Sequence, residues 1–225
     1  MTGAAEMLLT LFLLTNLALA GTGRLQSAIR LVAAQGWFIG ALPVLLWNWT
    51  DGAPGAKLWV VAAVNATIKG VALPMLLTYA VRKVRAKREV EPLVSFRLSQ
   101  LTVFLLTAAS LAAGRLLNVR EAIACELAIP VALTTVGTGL FLLCSRRKAI
   151  TQVLGFLVFE NGISVFGAGI LLEYGLVVEL GILLDVFVLV FVLGIAICQI
   201  GRTFSSLDTD KMNRLGDIHL LHHHH

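Results

Sequence analysis

An all-α, polytopic membrane bundle is the fold class that the sequence predicts, and three observations predict it. First, 58% of the 225 residues are hydrophobic and only 14% are charged, with a mean hydropathy of +0.87. An ordinary soluble domain is about 45–50% apolar and roughly 25% charged, and a disordered chain combines low hydrophobicity with high net charge. Second, the apolar residues gather into about seven runs, each at or near the roughly 20 residues that cross a ~30 Å hydrocarbon core. Third, the basic residues collect in alternate connections between those runs.

The runs are about 4–21, 30–49, 58–80, 98–117, 126–144, 151–172 and 176–201. The first has Glu6 as its only charge and no basic start, and it exceeds the 7–15 apolar residues of a typical signal peptide, so it reads as a retained span. The second holds Gln35-Gly36, and the third holds Asn65, Lys69 and Pro74. A proline inside a span removes a backbone bond and commonly kinks the helix, which predicts water access near Lys69. The fourth carries no charge between Gln100 and Gly114 and reads as a linking span. Gly137-Thr138-Gly139 in the fifth and Gly167-Ala168-Gly169 in the sixth predict close helix packing. The sixth also carries Glu160-Asn161-Gly162-Ile163-Ser164, and the seventh carries Asp185.

Charge orients these spans. With the N-terminus outside, fourteen basic residues fall on inner segments: Arg24 and Arg30, then Arg82, Lys83, Arg85, Lys87, Arg88 and Arg97, then Arg146, Arg147 and Lys148, then Arg202, Lys211 and Arg214. Lys57, Arg115 and Arg120 are the three on outer segments. That bias predicts N-out, C-in, in the plasma membrane of a prokaryotic cell. The net charge of +5 therefore reports topology, and nothing in the chain suggests nucleic acid as a partner. The run Val81–Arg88 reads as a cytoplasmic topology anchor, with binding to anionic lipid or to a partner's acidic surface as the alternative.

Several chemistries are excluded. Cys125, Cys144 and Cys198 are isolated, so no C-x-x-C metal or iron–sulfur motif exists; they read as small packing residues. All five histidines, His219 and His222–His225, lie in the final segment 218–225, which reads as a purification tag. Phosphate-loop, nucleophile-elbow, zincin and Rossmann patterns are missing, so no catalytic site, cofactor or metal is expected within the chain.

Three ionisable residues at one depth remain: Glu160, Asp185 and Lys69. At 1.5 Å per residue, Glu160 and Asp185 lie about 14 Å and Lys69 about 16 Å into their spans, all near the midplane. A charge there costs roughly 2.5–3.5 kcal/mol on insertion scales, so such residues usually face the bundle interior and work there. One reading is a buried ion pair that fixes helix register. The other is a proton relay, since burial raises carboxylate pKa values and lowers that of lysine, bringing both toward exchange. Asn161, Gln35, Asn65 and Ser164 are the supporting polar residues; Ser164 is one helical turn from Glu160 on the same face.

Arg146-Arg147-Lys148, Gly155, Glu160-Asn161, Asp185 and the polar tail with Leu207-Asp208-x-Asp210 resemble the small K-type subunit of respiratory complex I, a three-helix protein with buried carboxylates on its second and third helices. Asp185 matches the third-helix acid, while Glu160 falls one turn later than the second-helix acid. Over its whole length, with Phe159-Glu160-Asn161-Gly162, the chain is most similar to component E of hydrogenase-4, a membrane subunit of complex I-like hydrogenases and formate hydrogenlyases. That resemblance implies a non-catalytic subunit between the antiporter-like subunits and the hydrogenase-side membrane subunit, surrounded by lipid and moving protons or sodium. Alternatives are a subunit of a multi-subunit cation/proton antiporter and a purely structural spacer.

The expected organisation is an N-terminal three-helix unit with a basic loop (1–97), a linking helix and outer loop (98–125), a K-type-like three-helix unit with its tail (126–217), and the tag-like end (218–225). Gln35 and Glu160 are 125 residues apart and Lys69 and Asp185 116 apart. With spans one to three and five to seven pointing the same way, these spacings suggest a parallel internal repeat.

Overall fold

A computed structural model describes residues 2–47, 52–83, 93–116, 125–146, 148–169 and 194. The seventh apolar run with Asp185 and Cys198, the polar tail and the histidine-rich end lie outside the described residues. The described residues form α1 (Thr2–Gly21), α2 (Leu25–Leu46), α3 (Ala56–Thr67), a π-helical turn (Ile68–Ala72), α4 (Leu73–Lys83), α5 (Phe96–Leu116), α6 (Ala128–Ser145) and α7 (Ala149–Gly169). Among the described residues, six helical stretches are long and apolar enough to cross a membrane: Gly3–Gly21, Leu25–Leu46, Ala56–Tyr79, Phe96–Leu116, Ala128–Ser145 and Ile150–Gly169. The described residues are all-α, their spans make this a multi-pass membrane protein, and these stretches match the first six apolar runs.

Local chemistry sets the ends. Gly21 and Gly23 frame the turn after α1, and Arg24 leaves it in extended backbone before α2. After α2, Gly52 takes φ +109, a left-handed conformation that favours glycine, and its carbonyl accepts from Trp47 Nε1 at 3.0 Å. Pro130 lies in the first turn of α6, where a missing N–H is tolerated. Inside the spans, the hydroxyls of Thr67, Thr78, Thr107 and Thr138 donate to the carbonyl four residues earlier, which pairs them within their own helix.

Close backbone approach holds the bundle together. The α6–α7 hairpin is its most extensive helix contact. Gly139 sits against the Phe159 backbone, Gly155 would place a Cβ 2.7 Å from Leu143 N, and Gly162 would place one 2.6 Å from Val136 N. Small residues at such crossings let backbones approach where lipid supplies no hydrophobic drive. Gly137 and Gly139 thus pack as the sequence indicates, against Leu106 and Phe159, and Gly169 packs against Ala128. The second close seam joins α2 to the third span, where Gly36 meets the backbone of Lys69 and Gly70, and Gly40 meets Ala66.

Two apolar clusters form the core. One, toward the basic end, gathers Leu19 of α1, Leu25, Ala28, Ile29 and Val32 of α2, Leu73, Leu77 and Val81 of α4, Leu142 of α6, and Ile150 to Val158 of α7. The other, toward the opposite end, gathers Leu8, Leu9 and Phe12, Ile39 and Leu42, Cys125, Ala128, Val131 and Ala132, and Val165. Along α1, α2, α6 and α7 the switch from one cluster to the other falls at buried polar residues, Asn16, Gln35, Thr134, Thr135, Thr138, Glu160 and Asn161, and Lys69 of the third span is buried with them. A polar layer at mid-depth therefore lies between two hydrophobic ones.

Candidate functional site: the mid-depth polar layer

The layer has a charged branch and a neutral branch. In the charged branch, Lys69 Nζ donates to Glu160 Oε1 at 2.8 Å and to Ser164 Oγ at 2.7 Å. Ser164 Oγ in turn donates to the Glu160 carbonyl at 3.1 Å. The Lys69 and Glu160 side chains are 2% and 1% exposed. Their pairing answers both charges; a single buried ion of this kind would be strongly destabilising.

The local backbone explains how Lys69 reaches Glu160. Residues 68–72 form a π turn, in which the Leu73 N–H donates to the Ile68 carbonyl five residues back. Pro74 has no N–H and its ring would crowd the carbonyl four residues before it, so the wider turn accommodates it. The sequence suggests a kink at Pro74; the structure resolves it into this π turn, with Lys69 on it. Because Gly36 has no side chain, α2 lies directly on the backbone of Lys69 and Gly70.

In the neutral branch every hydrogen bond runs one way. Asn161 Nδ2 donates to Gln35 Oε1 at 3.1 Å. Gln35 Nε2 donates to Asn16 Oδ1 at 2.9 Å and to Thr15 Oγ1 at 3.0 Å. Asn16 Nδ2 donates to Thr135 Oγ1 at 2.8 Å, which donates to the Val131 carbonyl at 2.7 Å. Asn161 follows Glu160 directly, so the two branches meet on α7.

Of the residues singled out in the sequence, the structure brings together Lys69, Glu160 and Ser164 as one group and Gln35 with Asn161 as a second. Asn65 is half-buried and joins neither; its carbonyl accepts from the Ile68 N–H. Asp185 lies outside the described residues. Sequence reasoning overlooked Thr15, Asn16 and Thr135. Asn16 lies within the first apolar run and Thr135 within the fifth, but position in a run alone does not indicate a bond across helices.

No protein-family model and no solved structure matches the chain. Over 195 residues it is 33% identical to the uncharacterized protein Rv0085 of Mycobacterium tuberculosis, covering 86% of this chain and 87% of that one. The chain belongs to the Rv0085 family. In this member of the Rv0085 family, Lys69 and Glu160 form a buried ion pair.

The two branches differ in chemistry. Carboxylate and ammonium each gain or lose a proton, and a serine hydroxyl both donates and accepts. Lys69 and Glu160 are therefore in direct contact for proton exchange, and the Ser164 hydroxyl accepts from the ammonium beside them. The amides of Asn16, Gln35 and Asn161 do not titrate in the accessible range, and their bonds fix positions.

Proposed function

We propose that the chain is a non-catalytic subunit in the membrane arm of a complex I-like hydrogenase, lying N-out, C-in in a prokaryotic plasma membrane. In this reading Glu160, Asp185 and Lys69 carry part of a proton path along the midplane, with antiporter-like subunits and the hydrogenase-side membrane subunit as neighbours. The observation that carries the reading is the Lys69–Glu160 contact, a titratable pair bonded directly at 2.8 Å at mid-depth, with Ser164 Oγ as a second acceptor for Lys69 Nζ. A structural lock needs no titratable pair, because the amide chain beside it already ties α1, α2, α6 and α7 together. The resemblance to hydrogenase-4 component E supplies the assembly, and the basic residues at one end supply the orientation.

The test replaces Glu160 by Gln and Asp185 by Asn, singly and together, in the assembled complex. Either change is expected to lower proton translocation at least tenfold while hydrogenase activity and assembly persist. Translocation at the wild-type rate in the assembled double variant would overturn the reading in favour of a spacer. Co-purification with a cation/proton antiporter and no nickel–iron subunit would move the chain to the antiporter class.

A further inference from the structure

A second buried cation lies at the basic end, apart from the Lys69–Glu160 pair. Arg146 ends α6 in extended backbone, with φ −116 and ψ 139, one residue beyond the span Ala128–Ser145. Its side chain is buried. Nη2 donates to the Ala20 carbonyl at 3.3 Å, and Cζ lies 5.4 Å from the centroid of the Phe96 ring. Those contacts clamp the last turn of α1 and the first turn of α5 to the end of α6.

They leave the charge unanswered. Nη1 is buried without a hydrogen-bond partner. Burial pushes the guanidinium below its usual pKa, and among the described residues no carboxylate acts in the other direction. A guanidinium does not give up its proton in a protein, and buried charges are ordinarily paired. Two hydroxyls in the same seam are also buried and unpartnered: Ser145 Oγ on the preceding residue, and Ser99 Oγ one turn into α5 from Phe96. Among the described residues at this end, Arg24 and Arg97 are exposed and Lys148 is half-buried.

We infer that Arg146 is the receptor for a phosphate group at the basic end of the bundle, with Nη1 as principal donor and the Ser145 and Ser99 hydroxyls in the same seam. The planar guanidinium fork suits phosphate oxygens, and the position just past the span is headgroup depth, where basic pockets between helices bind anionic lipids. The phosphate comes from the diester of an anionic lipid or from inorganic phosphate.

The experiment uses the full chain purified in detergent and follows its thermal unfolding midpoint during titration with phosphatidylglycerol, phosphatidylcholine, or inorganic phosphate against chloride at equal ionic strength. Stabilisation by phosphatidylglycerol alone assigns the lipid as the source, and an equal rise with inorganic phosphate assigns the free ion. Arg146→Gln is expected to raise the half-saturating concentration of the active ligand about tenfold, the loss of one hydrogen bond to a charged group. Arg82→Gln, at an exposed arginine of the same end, is expected to change it less than about twofold. Arg146→Lys keeps the charge without the fork, and weakens binding even if the glutamine variant fails to fold. Wild-type affinity in Arg146→Lys or Arg146→Gln, or an equal loss in Arg82→Gln, would overturn the assignment. So would a wild-type midpoint that none of the three ligands moves.

Discussion

Lys69 and Arg146 are both buried cations, and the protein treats them in opposite ways. Lys69, at mid-depth, is met by a carboxylate and a hydroxyl at 2.8 and 2.7 Å. Arg146, at the edge of its span, is met by one carbonyl at 3.3 Å and an aromatic face. Depth explains the difference. No counter-ion can arrive from solvent at the midplane, so the chain must supply it. At headgroup depth anions are abundant and the chain can leave a place for one. An ammonium also suits a pair that exchanges protons, whereas a guanidinium stays charged and suits a fixed anion.

The largest test of this contrast removes the internal counter-ion. Glu160→Ala removes the carboxylate that meets the buried ammonium at 2.8 Å and is expected to destabilise the bundle by about 3–5 kcal/mol, read as a shift in denaturant-induced unfolding in detergent micelles. The double variant Lys69→Met, Glu160→Met removes both charges and is expected to recover most of that loss. A cost under about 1 kcal/mol for Glu160→Ala would mean that a second acid also answers Lys69, and Asp185 is the first to examine.

Next in size is the seam that places Lys69. Gly36→Val drives a side chain into the backbone of Lys69 and Gly70. Overpacking of this kind typically costs about 1–3 kcal/mol. Gly55→Val, where an added Cβ meets nothing within 4 Å, is expected to stay within about 0.5 kcal/mol of wild type. Equal behaviour of the two variants would mean that α2 does not hold the π turn in place.

That seam also marks where the sequence stopped being informative. Apolar runs long enough to span a bilayer are a strong linear signal, and the six that fall on described residues are helices. The depths of Lys69 and Glu160 were legible because both are charges in otherwise apolar stretches, and counting residues from the span ends places them at one level. The place of Ser164 on the Glu160 face follows from helical spacing, whereas which acid Lys69 meets does not. The π turn was not legible: Pro74 indicates a disturbance, but its form depends on α2 approaching through Gly36, which no local pattern encodes. Asn16 and Thr135 were overlooked for a different reason. Neutral polar residues are common in spans and satisfy themselves on their own helix, so only the packed structure shows that these two bond across helices. Arg146 reads in sequence as one of a basic triplet that marks topology, and its burial appears only once α1 and α5 close over it.

The neutral branch provides the next smaller effect. Gln35→Leu leaves Asn161 Nδ2 without its acceptor and Asn16 Oδ1 without its donor. In a membrane such bonds are worth about 1 kcal/mol, so unfolding should shift by that much while the Lys69–Glu160 pair persists. A loss as large as that of Glu160→Ala would mean that the two branches act as one unit.

The smallest effect belongs to the ring beneath Arg146. Phe96→Leu keeps an apolar side chain at the start of α5 and removes the π face, a contribution of about 0.5–1 kcal/mol. The informative measurement is a cycle with Arg146→Gln. If the ring supports the cation, the two losses couple, and the double variant is less destabilised than their sum by about that amount. Adding the ligand that stabilises the wild type should shrink the coupling, because an anion at Nη1 takes over part of the charge that the ring would otherwise hold. A coupling that is insensitive to ligand would make the ring a packing element only, and Lys69 would then be the sole buried cation in the described bundle whose surroundings are arranged around its charge.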